Sequence, residues 1–338
     1  MTRTSVLTGQ DAGAARSPDA AGRRERAGRL LQQHGALLVL LSLVAFGSVA
    51  FDSFATAANL RGVTISSSFL AIIAIGMTFV IISGGIDLSV GSLFVLGGVL
   101  AASGSRYGVW AALALPLVAC GAIGLVQGLL IARLRMAPFI VTLAGLLGVR
   151  GIMLAISDEG ATTYLVEDRA FAALGRSEVL GLTWPVLITV VLAVIGVVLL
   201  QRTGFGQNVH AIGGNEEAAA LMGVPIVRTK VLVYLMSGLL AGLAGALNAA
   251  WLSSGVTILG IGLELDVIAA VVIGGTLLTG GVGGVTGTMA GVLLLGVIQN
   301  LINQAGNLTS AFQQVVSGLF LVLVVIAQRV FSKAQQLG

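Results

Sequence analysis

The sequence predicts an all-α, polytopic integral membrane protein. About ten transmembrane helices are expected, with interrupted helices near the centre and both termini in the cytoplasm. Three observations carry this. Of 338 residues, 57% are hydrophobic and 9% charged, where a soluble domain is roughly 45–50% apolar and about 25% charged. Apolar runs of spanning length recur, most of them joined by short polar links. The stretch 76–102, GMTFVIISGGIDLSVGSLFVLGGVLAA, is long enough to cross a bilayer yet carries Ser83-Gly84-Gly85-Ile86-Asp87-Leu88-Ser89 near its middle. Hydrocarbon supplies no water to freed backbone groups, and a charge at mid-depth costs at least about 2.5 kcal/mol. Such a break must sit against protein or line a wet cavity, as a transport path would provide.

The elements follow in order. Residues 1–29 are polar, hold Arg3, Arg16, Arg23, Arg24, Arg26 and Arg29, and show no apolar period; they read as a disordered cytoplasmic tail. A membrane domain over 30–331 follows. Its first apolar run is 30–51; Ala55-Thr56-Ala57 resembles a signal cleavage site, but the long tail and the spanning length favour a first helix. Further runs lie at 59–82, 89–104, 108–131, 138–156, 182–201, 229–251, 265–279, 285–304 and 311–328. Those at 89–104 and 265–279 are short for a full crossing.

Lys and Arg set the orientation. With the tail inside, the inner side also holds Arg133, Arg135, Arg202, Arg228, Lys230, Arg329 and Lys333, against Arg61, Arg106, Arg150, Arg169 and Arg176 outside. Trp110, Trp184 and Trp251 fall at outer helix ends, where amphipathic rings settle. Two connections are long: an outer loop, 157–181, rich in acids, and an inner loop, 202–228. A faint internal echo also exists. Gly84-Gly85 precedes Gly91-Ser92 at the spacing by which Gly280-Gly281 precedes Gly287-Thr288; duplicated halves with matching breaks are a transporter plan, and chance in a Gly-rich chain is the rival.

Several chemistries find no support. Neither Lys230 nor Lys333 follows a Gly, so no phosphate-cradling loop can be written. His34 and His210 lie far apart, and Cys120 is the single cysteine, so no metal-ligand spacing exists. No serine-nucleophile context is present, and the net charge of +4, spread over loops, gives nucleic acid no patch. An enzyme is not expected, nor a cofactor on this chain.

The inner loop carries the soluble signal. Asn215-Glu216-Glu217-Ala218-Ala219-Ala220-Leu221-Met222-Gly223 reads as a short helix, with Asn215 as N-cap, acids in the first turn and Gly223 with Pro225 as the stop. Too short to persist alone, it needs a surface: its own membrane domain or a cytoplasmic partner.

The Glu217-Ala218-Ala219…Gly223 spacing resembles the EAA loop by which permeases of ATP-binding-cassette importers engage their ATPase. GMTFVIISGGIDLSVGS (76–92), GFGQNVHAIGGNEEAAALMG (204–223) and ELDVIAAVVIGGTLLTGGVGGVTG (264–287) resemble the ribose and galactose branch of monosaccharide-importer permeases, in the right order, over roughly 35–330. GMTFVIISGGIDLSVGS and VVIGGTLLTGGVGG look closest to galactofuranose importer permeases. The resemblance implies a multi-pass permease of the bacterial cytoplasmic (inner) membrane. Its partners would be ATPase subunits holding ATP and Mg, a substrate-binding protein and a second, identical or similar, permease. An ion-driven carrier and a branched-chain amino acid permease are the alternatives; a carrier has no need of an EAA helix, and the 76–92 signature argues against the second.

The candidate residues fall into three sets. The coupling helix is Asn215, Glu216, Glu217, Ala218, Ala219, Leu221, Met222 and Gly223. The interrupted core is Gly84, Gly85, Asp87, Ser89, Gly280 and Gly281; Asp87 either caps the helix starting near Leu88, with Ser89 assisting, or shapes the path. Gln299 with Asn303 and Asn300 with Gln304 form two polar rows on one helix, which either bond other helices or line a path. Gln127 and Asn248 read as structural polar residues, and Glu264 with Asp266 as favourable charges at a helix start. The outer loop's Asp158, Glu159, Glu167, Asp168 and Glu178 either dock the binding protein or are simply solvated. Aromatics at 5% argue against a stacked, tight sugar site.

Overall fold

The computed structural model describes residues 36–179 and 181–306, with single helical positions at 315, 318, 319 and 322. The tail at 1–29, the start of the first expected span and nearly all of 311–328 lie outside the described residues.

Six helices are long and apolar enough to cross a membrane: α2 (Ala57–Ile82), α4 (Val109–Arg133), α5 (Pro138–Ile156), α7 (Trp184–Arg202), α10 (Ile226–Leu252) and α12 (Val285–Gln304). Three shorter apolar helices join them: α1 (Ala36–Ala50), α3 (Val90–Gly104) and α11 (Leu263–Ile273). At 1.5 Å per residue α3 is about 22 Å long and α11 about 16 Å, too short for a hydrocarbon layer of roughly 30 Å. The described residues thus hold six full-length spans.

Helices α2 and α10 form the centre. From Ala71 to Ile82 every residue of α2 is buried, as expected of a helix apolar on all sides. Helix α10 packs on α4, α3 and α2 through a row of glycines. A side chain at Gly97 on α3 would meet the Gly242 carbonyl at 2.6 Å, and one at Gly124 on α4 would overlap the Tyr234 carbonyl. Small residues let backbones touch where lipid provides no hydrophobic drive. Helices α4, α5 and α7 instead turn apolar side chains such as Val118, Leu147 and Val191 outward.

One end of the bundle carries two further helices, α8 (Gly204–Gly214) and α9 (Glu216–Leu221); it is called here the loop end. The other, the hairpin end, carries α6 (Arg169–Arg176) and four two-residue strands: β1 (Tyr164–Leu165), β2 (Glu178–Val179), β3 (Leu182–Thr183) and β4 (Ser254–Gly255). β1 pairs antiparallel with β4, and β2 with β3. An all-α expectation misses these pairs because two-residue strands leave no period to read. Trp110, Trp184 and Trp251 all lie at this end.

The acidic outer loop is folded. Asp168 caps α6, accepting from the Phe171 N–H at 2.6 Å. Phe171 is buried, and Gly175 presses on the α10 backbone at Ala250 and Trp251. Glu178 pairs with Arg61 of α2. Two of the five acids therefore serve the fold.

Candidate functional site

Three features converge on function: two turns in the core, the α8–α9 segment and a polar cleft.

The first turn, 83–89, follows α2. Gly84 is left-handed at φ 80°. Its N–H bonds the Ile81 carbonyl at 2.9 Å, and that of Gly85 the Val80 carbonyl at 3.0 Å, a Schellman ending. The expected mid-span interruption is corrected on this point: α2 is a full 26-residue helix, and the turn follows it, nearer the loop end. Its contacts Gln127 and Ser237 lie about 9 Å and 16 Å along α4 and α10 from their loop-end termini. The turn is still buried, and Asp87 is fully so. Its carboxylate accepts from the Ser89 N–H (3.0 Å), the Ser89 hydroxyl (2.6 Å) and the Ser237 hydroxyl on α10 (2.7 Å). It thus receives a donor just before α3 and ties the turn to α10. It does not line the cleft described below.

Gln127 extends this network. Its Oε1 lies 3.2 Å from the Ser89 hydroxyl, whose one proton is already given to Asp87, while its buried Nε2 has no partner among the described residues. Turning the amide over lets Nε2 donate to Ser89 and satisfies both groups.

The second turn, 274–284, follows α11. Gly275, at φ 92°, closes another Schellman ending, with the Thr276 N–H on Val271 at 3.2 Å. The structural counterpart of Gly84 is therefore Gly275, whereas Gly280-Gly281 reaches across to the first turn. Gly281 donates its N–H to the Ile82 carbonyl at 2.9 Å. Gly84 and Gly85 end a helix; Gly280 and Gly281, at φ 85° and 76°, form a contact.

Helix α8 ends on this junction. A side chain at Gly213 would overlap the Ile82 carbonyl and lie 2.5 Å from the Gly281 nitrogen. Phe205 stacks on Phe79 of α2, with centroids 6.0 Å apart. After α8 comes α9. The Asn215 side chain accepts from the Ala218 N–H at 2.9 Å. Gly223, at φ 81°, ends the helix, its N–H on Ala220 and that of Val224 on Ala219, both at 3.0 Å. Glu216 meets Lys230 at 2.6 Å. Ala219 packs inward, Glu217 and Ala218 are exposed, and Leu221 and Met222 are 91% and 82% exposed. Large apolar side chains on a capped helix tip form a surface suited to a partner.

The cleft has a volume of about 360 Å³ and lies toward the hairpin end. Gln299, Asn300 and Asn303 line it with Gly296, one face of α12 by helical spacing. Gln304 does not; its carbonyl accepts from the Ser53 hydroxyl at 2.6 Å. Asn300 exchanges two bonds with Asn59, at 2.8 and 3.0 Å, so both ends of its amide are engaged. Asn248, Asp266, Ser66 and Ser67 add polar groups. Phe69, Phe94 and Trp251 bring rings. Ser67 escaped the sequence reading because α2 looks apolar throughout; the Ser66-Ser67-Ser68 run was the available signal.

A helical bundle with a polar cleft at one end, an apolar centre and a capped helix presented at the other defines a transport permease. Residues 59–325 match the family model described as branched-chain amino acid transport system / permease component, and the chain belongs to that family. It is 40% identical to the L-arabinose transport system permease protein AraH of Escherichia coli K12 over 91% of this chain and 94% of that protein. It is 40% identical to the ribose import permease protein RbsC of Bacillus subtilis 168 over 89% and 94%. It is 41% identical to the inner membrane ABC transporter permease protein YjfF of Escherichia coli K12 over 82% and 86%. None of the three names mentions galactofuranose. No solved structure matches the chain.

Proposed function

We propose that this chain is the membrane subunit of an ATP-binding-cassette importer for a monosaccharide in a bacterial cytoplasmic membrane. In this reading the loop end faces the cytoplasm, with both termini, and the hairpin end faces a substrate-binding protein. A second permease, identical or similar, completes the path, and separate ATPase subunits hold ATP and Mg.

The observation that carries the reading is α9. A six-residue helix, capped by Asn215 and Gly223, holds Leu221 and Met222 clear of the bundle. Adjacent large apolar side chains on a capped, protruding helix suit insertion into a partner's groove. The names of the arabinose and ribose relatives support a sugar cargo, and the motifs at 76–92 and 271–284 favour galactofuranose within that class.

The test is uptake by cells expressing this chain with its ATPase and binding protein. Labelled L-arabinose, D-ribose, D-galactose, galactofuranose and L-leucine are offered in turn. The expected result is uptake of a sugar that stops on ATP depletion and survives an ionophore. Uptake of leucine alone, or uptake that collapses with the ion gradient while ATP is irrelevant, overturns the proposal.

A further inference from the structure

We propose that the cleft between α2, α10, α11 and α12 is itself a contact site for a neutral, polyhydroxylated ring. Asn248 and Gln299 meet its hydroxyls, and Trp251 covers one face. This rests on the sugar reading above and adds the place where the permease touches its cargo.

Four observations lead there. The volume of about 360 Å³ falls within the roughly 300–1,000 Å³ of small-molecule sites.

Second, Asn248 and Gln299 are half-buried on two different helices, and no hydrogen bond engages either amide among the described residues. Each offers a carbonyl acceptor and two N–H donors, the mixed set that a sugar hydroxyl, itself donor and acceptor, requires. Third, Trp251 and Phe69 stand 5.8 Å apart at 41° and form an apolar wall beside the amides. Fourth, the lining contains no Lys, Arg or His, and its one acid is Asp266. A zwitterionic amino acid would bring a carboxylate without a cation to meet it, which desolvation penalises. A neutral polyol brings no such group.

The depth fits a delivery site. From Gly62 to Ile73 the cleft covers about 8 to 24 Å along α2 from its hairpin end. Beyond Ile73 the helix is buried without interruption to Ile82.

The full importer tests this, with labelling read on this chain, whose one cysteine, Cys120, is buried. A Gln299→Cys variant is labelled with a membrane-impermeant maleimide in the presence of D-ribose, L-arabinose, D-galactose, galactofuranose or L-leucine. The sugar that the wild type transports should slow labelling, whereas leucine and a non-transported sugar should not. A Tyr107→Cys variant, exposed at the hairpin end and outside the cleft, should label equally with every solute. Separately, Asn248→Leu and Gln299→Leu should each lower uptake efficiency about tenfold, as loss of a polar ligand contact predicts, with unchanged amounts in the membrane. If the wild type transports a sugar but labelling is unprotected and both leucine variants transport normally, the cleft is not the contact site and the importer reading stands. If the wild type transports no sugar, both fall.

Discussion

Gly281 donates its backbone N–H to the Ile82 carbonyl at 2.9 Å, and Gly213 lies over that bond so closely that a side chain there would overlap the carbonyl. Two helix-ending turns and the segment carrying α9 therefore meet backbone to backbone. If ATPase closure moves α9, this junction is where movement reaches the ends of α2 and α11. A Gly213→Val variant must push backbone aside, a strain of about 1–3 kcal/mol. It should lower the melting temperature in detergent by several degrees and depress uptake further than that loss explains. Gly214→Ala, whose added carbon meets nothing within 4 Å, is the matched control and should do neither. Normal uptake by Gly213→Val would remove the junction from the mechanism.

Helix α9 separates shape from surface. Gly223 sits at φ 81° with open space around it, so Gly223→Val costs only its backbone conformation, about 1–2 kcal/mol. That frays the end of α9 and should weaken ATPase binding through disorder. Leu221→Ser and Met222→Ser touch nothing in the bundle and should change stability by less than about 0.5 kcal/mol. They should still weaken ATPase binding, measured by titrating purified ATPase onto the permease in nanodiscs. Unchanged affinity in both serine variants would mean the tip is not the docking surface.

Legibility in the sequence followed how local the cause was. The bounds of α9 could be read closely because Asn215 and Gly223 act within four residues of themselves. The cleft face of α12 was half legible: the spacing of Gln299, Asn300 and Asn303 defines a face, but not whether lipid, a helix or a void meets it. Gln304 turned to Ser53 on the α1–α2 link, a partner that no helical period predicts. The first break was seen and bracketed by the runs at 59–82 and 89–104; reading 76–102 as one stretch put it at mid-span, whereas α2 ends at Ile82 and the turn follows it. The junction at Gly213 was hidden because a contact made by absent side chains leaves no pattern beyond another glycine pair.

Asp87 is held by donors alone. No cation lies within ion-pair distance of it among the described residues; Ser89 and Ser237 supply the bonds. Asp87→Ala strands a buried N–H and two hydroxyls, a loss of about 1–3 kcal/mol. Ser237→Ala removes one donor across to α10 and should cost less. Because they share a bond, the double variant should fall short of the sum by about 0.5–3 kcal/mol. Thermal unfolding of the four proteins in one detergent measures this. Strict additivity would show that the tie between the first turn and α10 contributes nothing.

Asn300 and Gln299 are neighbours on α12 with opposite expected phenotypes. Both line the cleft, but the Asn300 amide is committed at both ends to Asn59, while no such bond holds Gln299 among the described residues. The reciprocal pair joins the start of α2 to the end of α12, each bond contributing about 0.5–1.5 kcal/mol. Asn300→Asp keeps the size and removes the donor to Asn59, so it should lower the melting temperature while leaving the sugar concentration at half-maximal uptake unchanged. Gln299→Leu should do the reverse, raising that concentration with little effect on melting. Asn59→Asp, with Asn300 intact, removes the donor to both Asn300 and the Phe54 carbonyl and should cost at least as much stability as Asn300→Asp. Uptake titrated against sugar at saturating binding protein, paired with thermal unfolding, resolves the two axes. If Asn300→Asp shifts the half-maximal concentration and spares stability, the assignment of the two residues is reversed.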